Sequence, residues 1–151
     1  IKGAEEMVGF VVVTHGSFAE GLLSSAVMIM GKQEQLKAVG LYEDTDLEQF
    51  SSQICEAVSS VDTGDGVLIF TDMFGASPFN FSVSNIPELT ISGHKMELLT
   101  GVNLPMLLEG LAGRSDQLSV NEIMKNCQDV GREGIRNYSL TNLETYEDDE
   151  D

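Results

Sequence analysis

Hydrophobic residues occur along this chain in short, nearly unbroken runs that alternate with longer segments of mixed polarity. The two strongest runs, MVGFVVVT and GVLIFT, contain no charged residue, which is typical of strands buried on both faces. Two weaker runs have a similar character. The pattern predicts strands at Met7–Thr14, Leu36–Tyr42, Gly66–Thr71 and Lys95–Thr100, and a short final strand at Asn137–Leu143.

Helix-start signals follow each of the first four strands. In a capping box, a hydroxyl and a carboxylate three residues later each accept a hydrogen bond from an exposed amide of the helix start. A serine or asparagine shortly before a proline is another signal of a helix start. The five starts are the capping boxes Ser17–Glu20, Thr45–Glu48 and Ser119–Glu122, the pair Ser77-Pro78, and Asn103. The predicted helices are Phe18–Met30, Asp46–Ser60, Pro78–Asn85, Leu104–Leu111 and Val120–Arg136.

The alternation of strands and helices predicts a single α/β domain with a doubly wound, mainly parallel sheet flanked by helices. We place this domain at residues 7–143. Residues 1–6 precede Met7, a suitable natural start, and we interpret them as additions to the natural chain. Residues 144–151 form an acidic tail that we expect to be disordered.

Charge and composition exclude several classes of function. The net charge of the 151-residue chain is −17, and such a surface repels the phosphates of nucleic acids. No apolar run is long enough to cross a bilayer and nothing resembles a signal peptide, so we expect a cytoplasmic location. The two histidines are far apart in sequence and the two cysteines lack metal spacing, which argues against a zinc site.

Polar residues follow the two strongest strands where each strand ends. His15 follows the first strand and Asp72 follows the other, and a predicted helix start comes soon after each. In a parallel sheet, ligands bind at the carboxyl ends of the strands, and the free amides of helix starts favour anions there. If the two strands are neighbours, His15 and Asp72 lie within reach of each other at an anion-binding edge.

This combination suits phosphoryl transfer to histidine. One nitrogen of a neutral imidazole attacks phosphorus, while a carboxylate accepts the N–H of the other nitrogen and stabilises the developing cation. Asp72 is the candidate for that carboxylate. No metal or organic cofactor is expected. We expect the phosphoryl group to be bound by Ser77, Gly16, Ala76 and Thr14.

Less specific interpretations of the same residues remain open. A lone histidine after a strand is often structural, Asp72 could simply cap a turn, and Ser77 could serve only as a helix cap. A small hydrolase using the His15–Asp72 pair is a further alternative. Nucleotide-binding loops and a GxSxG nucleophile turn are absent. His94, in the polar connection SGH, is interpreted as a solvated loop residue.

Four blocks of this sequence resemble, in the same order, the EIIA component of the mannose family of the bacterial sugar phosphotransferase system. The resemblance extends over about Met7 to Arg136, and four separate blocks make it far more specific than one. The blocks are THGSFAEGLLSSAVMIMG (14–31), FTDMFGASPFN (70–80), TGVNLPMLLE (100–109) and GREGIR (131–136).

The resemblance implies that His15 carries the phosphoryl group on Nε2, that Asp72 orients His15, and that Ser77 lines the phosphoryl site. It also implies that the protein HPr donates the phosphoryl group and that EIIB accepts it, for phosphorylation of a sugar brought in by the membrane subunits EIIC and EIID. Members of this family form homodimers in which a C-terminal antiparallel strand is exchanged. Here Asn137–Leu143 is the segment expected to be exchanged.

The resemblance leaves the setting of the domain open. The chain could be a stand-alone EIIA or part of a protein fused to EIIB. Related domains occur in transcriptional regulators and in phosphotransfer subunits of dihydroxyacetone kinases, where the phosphorylation state is the signal. No residue of an EIIA identifies the sugar, because EIIA does not contact it.

Overall fold

The valine-rich runs form the centre of a parallel sheet in the computed structural model, which describes residues 6–139. The described sheet has four strands in the order β2-β1-β3-β4, and all neighbouring pairs are parallel. The strands are β1 (Gly9–His15), β2 (Leu36–Leu41), β3 (Val67–Thr71) and β4 (Met96–Leu99). Both strong runs therefore form central strands, and the residues of β1 and β3 are buried except for His15 at the end of β1.

Helices cover both faces of this sheet. They are α1 (Phe18–Met30), α2 (Leu47–Val61), α3 (Ser77–Ile91), α4 (Leu104–Gly113) and α5 (Val120–Glu133), with a 3-10 turn at Arg114–Asp116. The core on one face is formed with α1, α4 and α5, and the core on the other with α2 and α3. The predicted doubly wound α/β fold is thus confirmed. No helix within residues 6–139 is both long and apolar enough to cross a membrane.

Two of the five predicted helix starts have the predicted cap. Ser119 and Glu122 form a complete capping box at α5. The side chain of Asn103 accepts a hydrogen bond from the Met106 amide at the start of α4. These caps depend only on residues three apart in sequence, which is why the local pattern predicts them.

The other three starts differ from the prediction. Asp46, not Thr45, caps α2, because the Thr45 hydroxyl instead accepts the amide of Tyr42 at 2.9 Å. Ser17 occupies the N-cap position of α1 without a side-chain cap bond. Ala76 precedes α3, and Ser77 is already its first residue.

Helix α3 is longer than predicted, since it continues through Pro87 to Ile91. A proline inside a helix removes one amide donor, but the continuation places Leu89 in the core with 5% of its surface exposed. Burial of this side chain favours the helix beyond the proline. Helix α5 is shorter than predicted and ends at Glu133.

The predicted final strand falls largely beyond the part of the chain that the structure describes. Within that part, residues 137–139 belong to neither a helix nor a strand. Residues 140–143, and the acidic residues 144–151, lie outside the described residues. The exchanged strand and the disordered tail therefore stay predictions.

His94 is not the solvated loop residue expected from the sequence. Its side chain is only 19% exposed, and its Nδ1 lies 2.5 Å from Oδ2 of Asp62, which ends α2. Oδ1 of Asp62 accepts the amides of Gly64 and Gly66. The pair joins the end of α2 to the connection before β4, and the contact spans 32 positions in sequence. A local pattern carries no signal for such a contact.

We expect Asp62→Asn to lower the free energy of unfolding by about 1–3 kcal/mol at pH 7. Burial raises the pKa of the Asp62 carboxyl, but the hydrogen bonds from His94, Gly64 and Gly66 outweigh it and hold this pKa below its usual value. A carboxyl with a lowered folded-state pKa stabilises the protein above its unfolded-state pKa, about 3.9, and this contribution is lost as the pH falls through the folded-state pKa. The difference between wild type and variant should therefore shrink in acid.

Urea unfolding at pH 7 and at about pH 3 measures this difference, with Asp44→Asn, at an exposed carboxylate, as the control. The control should change stability by less than about 0.5 kcal/mol. Equal stabilities of wild type and Asp62→Asn at pH 7 would contradict the role given to the pair.

Arg114 is a buried charged residue that the sequence does not single out. Its Nη1 donates to the carbonyls of Val8, Glu34 and Gln35, and its Nη2 donates to Oε1 of Gln33. The guanidinium lies 4.9 Å from the centre of the Phe10 ring. Burial lowers the pKa of Arg114 to about 10, so it is charged at neutral pH. It connects the start of β1 to the segment before β2.

Candidate active site

The strand order brings the two predicted chemical residues to one edge of the sheet. β1 and β3 are parallel neighbours with Val13 opposite Thr71, so His15 and Asp72 emerge at the same carboxyl edge. The connection from β1 to β2 runs through α1 on one face of the sheet. The connections through α2 and α3 run on the other face. This is the switch point of a doubly wound sheet, where ligands bind.

Asp72 holds His15 by both its backbone and its ring. Oδ2 of Asp72 accepts the His15 amide at 2.9 Å and contacts Nδ1 of the ring at 2.6 Å, while Oδ1 accepts the Met73 amide at 2.9 Å. Burial raises the pKa of the Asp72 carboxyl, but these hydrogen bonds and the nearby imidazole outweigh it and place the pKa below its usual value. Asp72 is therefore an ionised acceptor at neutral pH.

An ionised carboxylate at Nδ1 determines which imidazole nitrogen is free. Nδ1 must carry the proton to donate to Asp72, which leaves the lone pair on Nε2. The His15 side chain is 50% exposed, and Nε2 has no hydrogen-bond partner among residues 6–139. The site thus presents an accessible Nε2 on the imidazole, with a carboxylate behind the other ring nitrogen.

The turn after His15 is held tightly to the adjacent strand. The amide of Gly16, which has a φ of +52°, donates to the carbonyl of Leu41 at 2.7 Å. A Cβ at Gly40 would lie 2.4 Å from the Gly16 carbonyl oxygen, so a glycine at position 40 is needed for this approach. The amide of Gly16 is consequently not free for the phosphoryl contact predicted for this residue.

Thr14 is likewise placed differently from the expected phosphoryl contact. It is fully buried, and its hydroxyl accepts the Ala19 amide at 2.8 Å and donates to the His15 carbonyl at 3.1 Å. Both hydrogen bonds go to the backbone of the turn, so this hydroxyl is not free for a phosphoryl contact.

The start of α1 has free amides, as the sequence predicts for a helix start at this edge, and the structure shows which residues carry them. The amides of Ser17 and Phe18 have no backbone acceptor within the described part of the chain, and Ser17 is exposed. Free amides at a helix start point outward along the helix axis and favour an anion. The sequence signal was misleading here, because the Ser17–Glu20 pattern predicts a cap that does not form.

The start of α3 contributes a second set of such groups. Ser77 is exposed, and neither its amide nor its hydroxyl has a partner among the described residues. The Ala76 amide, also predicted to bind the phosphoryl group, makes a long 3.3 Å contact with the Met73 carbonyl. Asn80, which the sequence analysis missed, donates from Nδ2 to the Gly75 carbonyl and fixes the preceding turn.

Exposed apolar side chains lie next to the polar residues of this edge in the sequence. Phe74 is 75% exposed and packs against Phe79 with 4.8 Å between ring centres. Met73 and Phe18, which adjoin Asp72 and the start of α1, are also exposed. We call Phe18, Met73, Phe74 and Phe79 the apolar rim. Exposed aromatic and methionine side chains around a reactive group are typical of a surface that binds another protein.

Comparisons with known proteins agree on one family. A model of the EIIA-man family, described as PTS system fructose IIA component, matches residues 9–128. The mannose-specific EIIAB component of Escherichia coli (strain K12) is 34% identical over 133 residues, which cover 85% of this chain and 39% of that protein. The chain thus spans about two fifths of the length of the EIIAB relatives it matches.

Two further proteins match over most of both chains. The fructose-specific EIIA component of Bacillus subtilis (strain 168) is 28% identical over 130 residues, or 86% of each chain. The crystal structure of a phosphotransferase system component EIIA from Streptococcus agalactiae superimposes with a TM-score of 0.79 at 28% identity, covering 87% of this chain and 97% of that one.

Proposed function

The chain belongs to the EIIA-man family of phosphotransferase system components, and on this premise we propose that it is a phosphoryl carrier that accepts a phosphoryl group on Nε2 of His15. The observation that carries the proposal is the contact between Nδ1 of His15 and the Asp72 carboxylate at 2.6 Å, with Nε2 left accessible. The same edge holds the free helix-start groups described above, which suit an anion.

The transfer needs only groups that the site and its partner supply. The lone pair of Nε2 attacks phosphorus, the Nε2–P bond forms, and the bond from phosphorus to the donor breaks with its electron pair remaining on the donor. The proton on Nδ1 stays in place, so positive charge develops on the His15 ring. Asp72 neutralises this charge, and preorganised electrostatic stabilisation of this kind is a large term in catalysis.

The phosphoryl oxygens are expected to bind the amides of Ser17, Phe18 and Ser77 and the hydroxyl of Ser77. These groups come from the starts of two different helices, so the positive ends of both helix dipoles favour the anion. Donors placed before the reaction cost no reorganisation when charge develops. No metal or organic cofactor is required in this scheme.

The apolar rim is the surface on which partner proteins are expected to dock. By relation to its family, the donor is HPr and the acceptor is EIIB, which serves a membrane transporter of EIIC and EIID subunits from the cytoplasmic side. A carrier must release both partners, which favours a small, transient interface. Phe74, exposed and supported by Phe79, is the side chain best placed to be covered by either partner.

A homodimer is also expected from membership of the family. Within the described sheet β4 pairs only with β3, so its other edge is open to a further strand. Beyond α5, the exposed apolar residues Ile135 and Tyr138 lead towards the segment predicted to be exchanged. Burial of these side chains against a second copy would support the exchange.

Intact-mass spectrometry after incubation with phosphoenolpyruvate, enzyme I and HPr tests the carrier function. Wild type should gain about 80 Da, one acid-labile phosphoryl group, because Nε2 of His15 is accessible. His15→Ala should gain nothing. His94→Ala is the matched control, since it removes the other histidine, which also pairs with an aspartate, and it should gain the group as wild type does.

Two results would contradict the proposal. One is a folded wild-type protein, by circular dichroism, that gains no mass. The other is an undiminished gain by His15→Ala. Onward transfer to EIIB then separates a carrier from a regulatory module, because a carrier loses the added mass rapidly when EIIB is present.

A further inference from the structure

The hydroxyl of Thr14 is an unusual helix cap because it comes from the preceding strand. In most helices the N-cap side chain accepts an amide of the first turn, but the Ser17 side chain makes no such bond in α1. Oγ1 of Thr14 accepts the Ala19 amide instead, at 2.8 Å, in a fully buried position. The first turn of α1 is thereby attached to the end of β1.

This attachment encloses the residue that accepts the phosphoryl group. His15, Gly16, Ser17 and Phe18 lie between the two bonded residues, and Thr14 also donates to the His15 carbonyl. At the other side of the loop, Gly16 donates to the Leu41 carbonyl. His15 is thus held by Thr14 through its carbonyl and by Asp72 through its amide and ring.

A consequence of this arrangement is that Ser17 stays free. Since Thr14 satisfies the Ala19 amide, the exposed hydroxyl of Ser17 is not required as a cap. Without the Thr14 hydroxyl, the buried Ala19 amide would lack a partner, which is unfavourable and favours a rearranged turn in which Ser17 turns inward to cap. That rearrangement would move both the His15 backbone and the free amides.

Building on the carrier function proposed above, we propose that Thr14 is a positioning residue for phosphoryl transfer: its buried hydroxyl fixes the strand-to-helix turn so that His15 meets Asp72 and the free amides of α1 together. Thr14 does not contact the phosphoryl group. Small displacements of a reacting group can lower a rate about 10²-fold, so a loosened turn has a measurable effect.

Thr71 provides a matched control on the neighbouring strand. It is also fully buried near the carboxyl end of a central strand, but its hydroxyl has no hydrogen-bond partner within residues 6–139. Thr→Val keeps the shape of either side chain and removes only the hydroxyl. The two substitutions therefore differ in whether hydrogen bonds are lost.

The experiment measures the rate of phosphoryl transfer from phosphorylated HPr by rapid quench, at several HPr concentrations. Thr14→Val should lower the rate at saturating HPr about 10- to 100-fold with an unchanged KM, because a buried residue cannot contact the partner. Thr14→Ser, which keeps the hydroxyl, should be within a few-fold of wild type. Thr71→Val should transfer at the wild-type rate.

A wild-type rate for Thr14→Val, an equal loss in Thr71→Val, or no rescue by Thr14→Ser would overturn the positioning role. Thermal melts confirm that each variant is folded at the assay temperature. If Thr14→Val is unfolded, Thr14→Cys replaces it, since a thiol is a weak acceptor. Its rate should then lie well below that of Thr14→Ser, and equal rates would overturn the role. Failure of the carrier function itself is distinct, because wild type would then not be phosphorylated.

Discussion

Asp72→Asn is expected to slow phosphorylation of His15 by roughly 10²- to 10⁴-fold without unfolding the protein. The Asp72 carboxylate accepts hydrogen bonds on both oxygens, two from His15 and one from Met73. An asparagine has one acceptor oxygen and one NH₂ donor, so it can accept either the His15 hydrogen bonds or the Met73 hydrogen bond but not both. It also carries no charge to neutralise the cation that forms on the ring.

The rate of mass gain with phosphorylated HPr, followed by rapid quench, measures this loss. Asp62→Asn is a matched control, because Asp62 contacts Nδ1 of His94 as Asp72 contacts that of His15. The control should keep the wild-type rate at a temperature where it is folded. If Asp72→Asn also keeps the wild-type rate, Asp72 does not stabilise the developing charge, and the proposed chemistry of the site is wrong.

Arg114→Met is expected to lower the free energy of unfolding by about 2–4 kcal/mol. Methionine keeps much of the apolar stem but leaves the carbonyls of Val8 and Glu34 without the donor that the guanidinium supplies. The contact with the face of Phe10 is lost as well. Chemical unfolding monitored by circular dichroism gives the change directly.

Arg132→Met is the control for this substitution, since Arg132 is exposed in the last turn of α5. It should cost less than about 1 kcal/mol, the usual value of a cation near a helix C-terminus. Arg114→Lys should be intermediate, because an ammonium group keeps the charge but lacks the fork of donors. Similar losses for Arg114→Met and Arg132→Met would show that Arg114 does not hold the start of β1.

Much of the fold was predictable because the relevant signals are local or periodic. The two valine-rich runs are central strands, and α1 begins and ends at the predicted residues. The caps at Ser119 and Asn103 depend on residues three apart, so the pattern contains the whole interaction. Where a tertiary contact competes, as for Leu89 beyond Pro87, the local rule gives a helix that is too short.

The candidate site was predictable in part for the same reason. His15 ends one strong apolar strand and Asp72 follows the other. Strongly apolar strands are central in a parallel sheet, so the carboxyl ends of these two share one edge. The contacts of Thr14 and Gly16 were not predictable in this way. Each group could bind a phosphoryl oxygen or a backbone group, and only the packed turn shows that the backbone uses both.

The alternation of strands and helices, and the places of His15 and Asp72 at strand ends, follow from side-chain polarity and spacing and can be predicted from the sequence. Which donors meet which acceptors across distant segments is visible only in the folded chain. In the folded chain His94 pairs with Asp62, Arg114 donates to three carbonyls, and the Ser17 side chain makes no capping hydrogen bond. The physical reason is that a hydrogen bond depends on distances of a few tenths of an ångström, and those are set by the packing of the whole chain.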